Sequence, residues 1–409
     1  MTRRTDRKRW LQTFVAGLHA GRTTLGPWSG NPVPKAWTHV TKVDPEGSKR
    51  LPLLYPLYLQ FTDAVSVGGS SDVTAANSEE TFELLDVVAT PAFHEPSEAR
   101  HVTDQTRKSA AFLAVPEVLN GDSDALVGTL GEAVEYLRDE MIPELLREKL
   151  PWPLRGRLVD PMTDFLTTML LSQAVFEAYI IQNPDSAAAR RGGVTEDDLL
   201  SPEQARQRAM AADRHLGSEL VYLEYSGTYG GEEAEAILDQ IADRMTQSRL
   251  WYGGGIDSRE KAERMLQAGA DTVVVGDVFH EVADEEATVC VRAREEFDEG
   301  APRRAIREWI GEEVDVETSA AARYLRTIPA VDAPVATAER HLADTVQCYL
   351  ALQRSDSQTL ANVLGAQTRT ELDDALAANV DVSQYLSAIT PQRDDGQVSV
   401  PLTHVSVFE

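Results

Sequence analysis

Lys42 and Asp44 stand two residues apart in the run 37–45 (WTHVTKVDP), so on an extended strand both side chains leave the same side of the pleat. Pro45 ends such a strand, which leaves a cation and a carboxylate at one mouth. The run 63–74 (DAVSVGGSSDVT) passes from a strand into glycines that let a backbone approach a ligand, and Ser70 adds a hydroxyl. Asp44 and Ser70 together are an oxygen pair able to hold one magnesium ion. In 222–230 (YLEYSGTYG) the alternation puts Tyr222, Glu224 and Ser226 on one face and Leu223 and Tyr225 on the other, with Gly227 opening the loop. A glutamate turned into a core is costly unless it has a task. Gly253-Gly254-Gly255 before Ile256, and Gly276-Asp277 before Val278, are bare backbone at strand ends, each followed by a helical run. Backbone N–H groups and a helix dipole aimed at one point make an anion site.

Each feature also has a plainer reading. A GGG run is a flexible loop as often as a cradle, Lys42 and Asp44 can be a structural rim pair, and Glu224 can be the buried partner of an arginine. His39, His94, His101 and His280 show no ligand spacing and are given no role.

The elements that must position these residues alternate short apolar strands with helical runs, the pattern of a parallel α/β sheet. Strands are expected at 38–44, 63–67, 84–89, 111–115, 178–182, 220–225, 249–252 and 272–275, eight in all, which is the barrel number. Helical spacing runs through 123–149, 161–177, 203–216, 231–247 and 258–268. The stretch 91–110, with Pro91 and Pro96 and almost no amphipathic repeat, reads as loop, so the third helix is reduced. The expected fold is therefore a modified (β/α)8 barrel over 35–284. An N-terminal extension, 1–34, precedes it, and a mainly helical region, 285–409, follows it with an edge strand near 396–408. In a barrel of this kind the loops after strands seven and eight form the usual phosphate site.

Composition closes off other classes. A formal charge of −27 argues against nucleic acid, since no basic patch could dominate that field. Sparse lysine beside abundant arginine and acid suits a high-salt cytoplasm, where screening relieves self-repulsion. Cys290 and Cys348 make neither a disulfide framework nor a zinc site. The basic start, Met1 to Trp10, is not followed by a signal or spanning segment, so a cytoplasmic protein is expected. Whether that arm touches a membrane surface, and whether the chain forms a homo-oligomer, stay open.

Taken in order, 37–45, 63–74, 116–120 (PEVLN), 181–189 (IQNPDSAAA), 222–230, 251–256 (WYGGGI) and 273–277 (VVVGD) closely resemble the geranylgeranylglyceryl phosphate synthase family over roughly 35–284. The resemblance implies a modified barrel lacking the third helix. It implies that Lys42 contacts sn-glycerol-1-phosphate and that Asp44 and Ser70 bind the Mg2+ that carries geranylgeranyl diphosphate. Tyr222, Leu223, Glu224, Tyr225, Ser226 and Gly227, with Gly255, Gly276 and Asp277, are then the glycerol-1-phosphate site. Glu224 is the candidate proton acceptor, with Tyr222 and Ser226 orienting the acceptor substrate. Three departures stand out: Asp277 where the family commonly has asparagine, the stretch 149–163, and everything after 285. A longer, heptaprenyl-type donor is the nearest rival. An inactive barrel serving as a binding platform, and a phosphoribosyl isomerase or lyase on the same scaffold, are the others.

Overall fold

The computed structural model describes residues 31–46, 51–69, 73–86, 88–149, 152–297 and 301–354. Ser70, the basic arm 1–30 and the strand expected near 396–408 lie outside them.

Eight parallel strands run in the order β3-β2-β1-β8-β7-β6-β5-β4. They are β1 (His39–Val43), β2 (Ala64–Val67), β3 (Ala92–His94), β4 (Ala114–Val118), β5 (Val175–Ile181), β6 (Leu220–Glu224), β7 (Arg249–Gly253) and β8 (Thr272–Val275). The two ends of the sheet meet where His94 bridges Leu113 and the His94 N–H donates to the Phe112 carbonyl at 3.1 Å, so the sheet closes into a barrel. The inner face is filled by Val40, Ala64, Phe93, Tyr179, Tyr222 and Trp251 among others. The opposite faces, such as Val65, Leu223 and Val273, meet the helices. Strict period-two alternation separates these two cores.

The helices, in chain order, are α1 (Tyr55–Leu59), α2 (Ala75–Leu85), α3 (Asp104–Ser109), α4 (Thr129–Tyr136), α5 (Ile142–Lys149), α6 (Trp152–Leu171) and α7 (Ala187–Gly192). They continue with α8 (Pro202–Ala211), α9 (Gly231–Ala242), α10 (Arg259–Gln267), α11 (Asp277–Glu296), α12 (Arg303–Glu313), α13 (Ala320–Thr327) and α14 (Pro334–Arg354).

The third unit differs from expectation. Leu84 and Leu85 are the buried end of α2, capped at its start by the Thr74 hydroxyl, and not the start of a strand. The true β3 lies inside the stretch read as loop, and the third helix is reduced to the six residues of α3. A three-residue strand is too short to carry an alternation signal. Likewise α6 stops at Leu171 and β5 begins at Val175, so 175–177 belong to the strand.

The boundary expected at 284/285 falls within the continuous helix α11. Beyond it, α12, α13 and α14 share one apolar cluster with the barrel's outer face, through Ile306, Tyr324, Leu325 and Tyr349. Polar ties join the same parts. Thr41 of β1 hydrogen-bonds the Tyr324 hydroxyl at 2.8 Å, and His39 Nε2 faces Thr327 Oγ1 at 3.0 Å. Among the described residues no helix is long and apolar enough to cross a membrane.

Candidate active site

The C-terminal ends of the strands open into one cavity of about 1040 Å3. Lys42, Asp44, Tyr222, Glu224, Ser226, Gly227, Gly255, Gly276 and Asp277 all border it. Leu223 and Tyr225 do not. They face the outer core, where the Tyr225 hydroxyl donates to Glu233 at 3.2 Å.

β1 delivers Lys42, whose side chain is 25% exposed, toward Glu95 at 3.2 Å. Glu95 follows β3 directly. It also accepts hydrogen bonds from Tyr179 Oη on β5 at 2.6 Å and from Ser66 Oγ on β2 at 2.9 Å. Burial pushes the Glu95 carboxyl up, but Lys42 and these hydroxyls outweigh it and hold the group below its ordinary range. Burial alone would lower the Lys42 ammonium, yet Glu95, Glu224 and Asp44 together push it above its ordinary value. The pair is therefore charged at neutral pH, across the barrel from the catalytic candidate.

That candidate, Glu224, is 3% exposed at the end of β6. Its Oε1 accepts from the Ser226 N–H at 3.2 Å and from the Ser226 hydroxyl. Its Oε2 is buried with no hydrogen-bond partner. Burial pushes this carboxyl up, and Lys42 and the hydroxyls of Ser226 and Tyr222 pull it partway back. A carboxylate raised above its ordinary range with one buried oxygen left without a partner is suited to accept a proton. Glu177, two residues before Tyr179 on the inner face of β5, is also buried and pushed well above the carboxylate range, chiefly by burial and then by Glu95. It stays neutral.

The glycine-lined end is built on β7 and β8. Gly255 adopts φ +55°, and a Cβ there would stand 2.7 Å from the Thr228 and Tyr229 backbone, so the loop after β7 is open only to glycine. The first turn of α11, capped by no side chain at Gly276, opens beside it. Opposite, Asp44 lies 3.7 Å from His280 Nδ1, and Gly69 packs so closely that a Cβ would approach Asp44 Oδ1 to 3.3 Å. Toward β4 the same cavity turns apolar, lined by Phe112, Leu113, Val115, Leu130, Leu137 and Leu170.

Glu95, Glu177, Tyr179 and Ser66 were not picked out from the sequence, and His280 was given no role. Glu95 would have stood at a strand end had β3 been located, and Glu177-x-Tyr179 is an alternation cut by starting β5 too late.

Fold and site together define a (β/α)8 barrel whose mouth joins a glycine-lined, charged end to an apolar wall. The model of the PcrB family matches residues 34–294, and the chain belongs to that family. Geranylgeranylglyceryl phosphate synthase of Methanocella arvoryzae is 33% identical over 248 residues, 60% of this chain and 91% of its own length. Heptaprenylglyceryl phosphate synthase of Bacillus thuringiensis is 30% identical over 249 residues, again 60% of this chain and 91% of its own. A solved structure of (S)-3-O-geranylgeranylglyceryl phosphate synthase from Thermoplasma acidophilum, in complex with sn-glycerol-1-phosphate, shares 22% identity. It covers 60% of this chain and 87% of its own, with a TM-score of 0.44.

Proposed function

We propose that the protein is a prenyltransferase that joins a geranylgeranyl group to the C3 hydroxyl of sn-glycerol-1-phosphate, in the first ether-forming step of an archaeal type of membrane lipid. The observation that carries the reading is one cavity with a glycine cradle and charged groups at one end and an apolar wall at the other. A small phosphate acceptor and a long apolar donor with an anionic head match those two halves.

The cradle of Gly255 and the first turn of α11 holds the phosphate of the acceptor, with Lys42 nearby as its counter-charge. Held there, the far hydroxyl faces Glu224, and orientation does much of the work. The allylic C–O bond to the diphosphate breaks, the glycerol oxygen forms the new C–O bond, and its proton passes to Glu224 Oε2 while inorganic diphosphate leaves. Ser226 fixes the Glu224 carboxylate for this step.

The described residues contain no group of three or more His, Cys, Asp and Glu fit for a metal. Magnesium commonly needs only one or two protein oxygens plus substrate phosphates, and the Asp44 carboxylate on the cavity wall fits that demand. Asp44, with Ser70, would hold it, and the ion would neutralise charge on the departing diphosphate. A cytoplasmic enzyme working at high salt is the setting that the composition favours.

The relatives carry both geranylgeranyl and heptaprenyl names, so a heptaprenyl donor is the second reading. Purified protein assayed with glycerol-1-phosphate and prenyl diphosphates of graded length, with magnesium and with chelator, tests all of this. Transfer greatest with the twenty-carbon donor and lost on chelation is expected. No transfer with any donor would sink the reading. Glu224→Gln should lower turnover by roughly a hundredfold or more while glycerol-1-phosphate still binds.

A further inference from the structure

Helix α13 lies beyond the family match, which ends at residue 294, yet one of its side chains borders the cavity. Arg323 lines it together with Asp277 and Glu281, and its guanidinium pairs with the Glu281 carboxylate. Glu281 sits one turn after Asp277 on α11, so both carboxylates stand over the first turn of the helix whose N-terminus forms the cradle. Two carboxylates at that place oppose the binding of a dianion, and the helix dipole offsets only part of their effect.

The position of Arg323 is fixed from both sides. At the start of α13, the N–H groups of Ala320 and Ala321 donate to the Glu285 carboxylate of α11 at 3.1 and 3.2 Å. Past its end, Arg259, the first residue of α10, donates to the carbonyls of Ile328, Pro329 and Val331. Thus α13 is anchored to the two helices that follow β7 and β8, the strands of the cradle. In between, Tyr324 and Leu325 are fully buried while Arg323 is one-third exposed, so the helix turns its cation to the cavity and its apolar face to the core.

We infer that Arg323, supplied by the C-terminal helices, is an affinity-determining residue of the cradle: it neutralises the Glu281 and Asp277 rim and so permits a phosphate monoester dianion to bind. The inference rests on the cradle being a phosphate site, as proposed above, and not on which prenyl donor is used.

The test is calorimetric titration of the full chain with inorganic phosphate and with glycerol-1-phosphate at low salt, where screening does not mask the effect. Arg323→Ala should weaken both by roughly three- to tenfold, the loss appearing in KM for glycerol-1-phosphate rather than in kcat. Arg323→Lys, which keeps the charge, should recover most of the binding, and Glu281→Gln in the Arg323→Ala background should restore it. Glu281→Gln alone, which removes no packing, should bind phosphate more tightly than the parent. If Arg323→Ala binds phosphate as tightly as the parent, or Glu281→Gln binds it more weakly, the inference is overturned even where prenyl transfer is found. A parent that binds phosphate through Arg323 but transfers no prenyl group overturns the functional reading alone, and one that binds no phosphate overturns both.

Discussion

At the scale of single residues, the site is a charge network more than a pair of catalytic groups. Glu95 neutralises Lys42 and, across the barrel, its negative charge helps raise the Glu224 carboxyl after burial and against the pull of Lys42. Removing that charge leaves Lys42 acting more fully on Glu224, and both changes lower its pKa. Glu95→Gln should therefore move the acid limb of the pH–kcat/KM profile to lower pH. An acid limb that stays put or moves upward would show that Glu224 is not the group titrating. Lys42, Asp44, Tyr222, Glu224 and Ser226 were legible because strand alternation turns polar residues inward wherever apolar ones are expected. Glu95 and Glu177 were not: β3 lies inside the stretch read as loop, and β5 begins three residues before its expected start, so neither side chain stands at a recognised strand position.

Among the elements, the turn between β7 and α10 bears the strictest local demand. Gly255 is left-handed and has backbone on the side where a side chain would go. Gly255→Ala should cost about 1–2 kcal/mol from the left-handed backbone alone, read by chemical denaturation, and should also weaken glycerol-1-phosphate binding. Unchanged stability and binding would mean the loop has another conformation open to it. This turn could be read in advance, since a glycine run after the seventh of eight strands has a specific meaning in a barrel. The third unit could not. Residues 84–85 are apolar in a helix as much as in a strand, and β3 is three residues long, held by its neighbour β2 and, at one bridge, by Leu113 just before β4.

Across the whole molecule, the C-terminal helices are joined to the barrel by a core that includes an ionisable group. Glu286 of α11 is fully buried, accepts from the Leu53 N–H at 2.7 Å, from Thr345 of α14 at 2.9 Å and from Tyr58 of α1 at 3.1 Å, and has its pKa raised to about 7 by burial. Because the folded value lies above the ordinary 4.5, its contribution to stability is complete below about pH 4.5, declines as pH rises toward about 7, and is lost above that. The change amounts to about 3 kcal/mol. Glu286→Gln, whose amide can satisfy the same partners, should flatten that part of the stability–pH curve, and an unaltered slope would refute the assignment. Helical periodicity revealed these C-terminal segments as helices. It could not reveal that their apolar faces close on β1 and α1, because a periodic pattern names a buried face without naming what buries it.

The ties between β1 and α13 also bear on how the protein is made. His39 and Thr41 are among the first described residues to leave the ribosome, yet their partners, Thr327 and Tyr324, are translated well after β8. In a barrel without the extension, the first strand could settle once the eighth strand emerged. Here His39 Nε2 and the Thr41 hydroxyl wait for their α13 partners until Thr327 is free of the exit tunnel. Nascent chains halted just after β8 should therefore engage chaperones more than chains halted after α13, making the late helices a checkpoint in biogenesis.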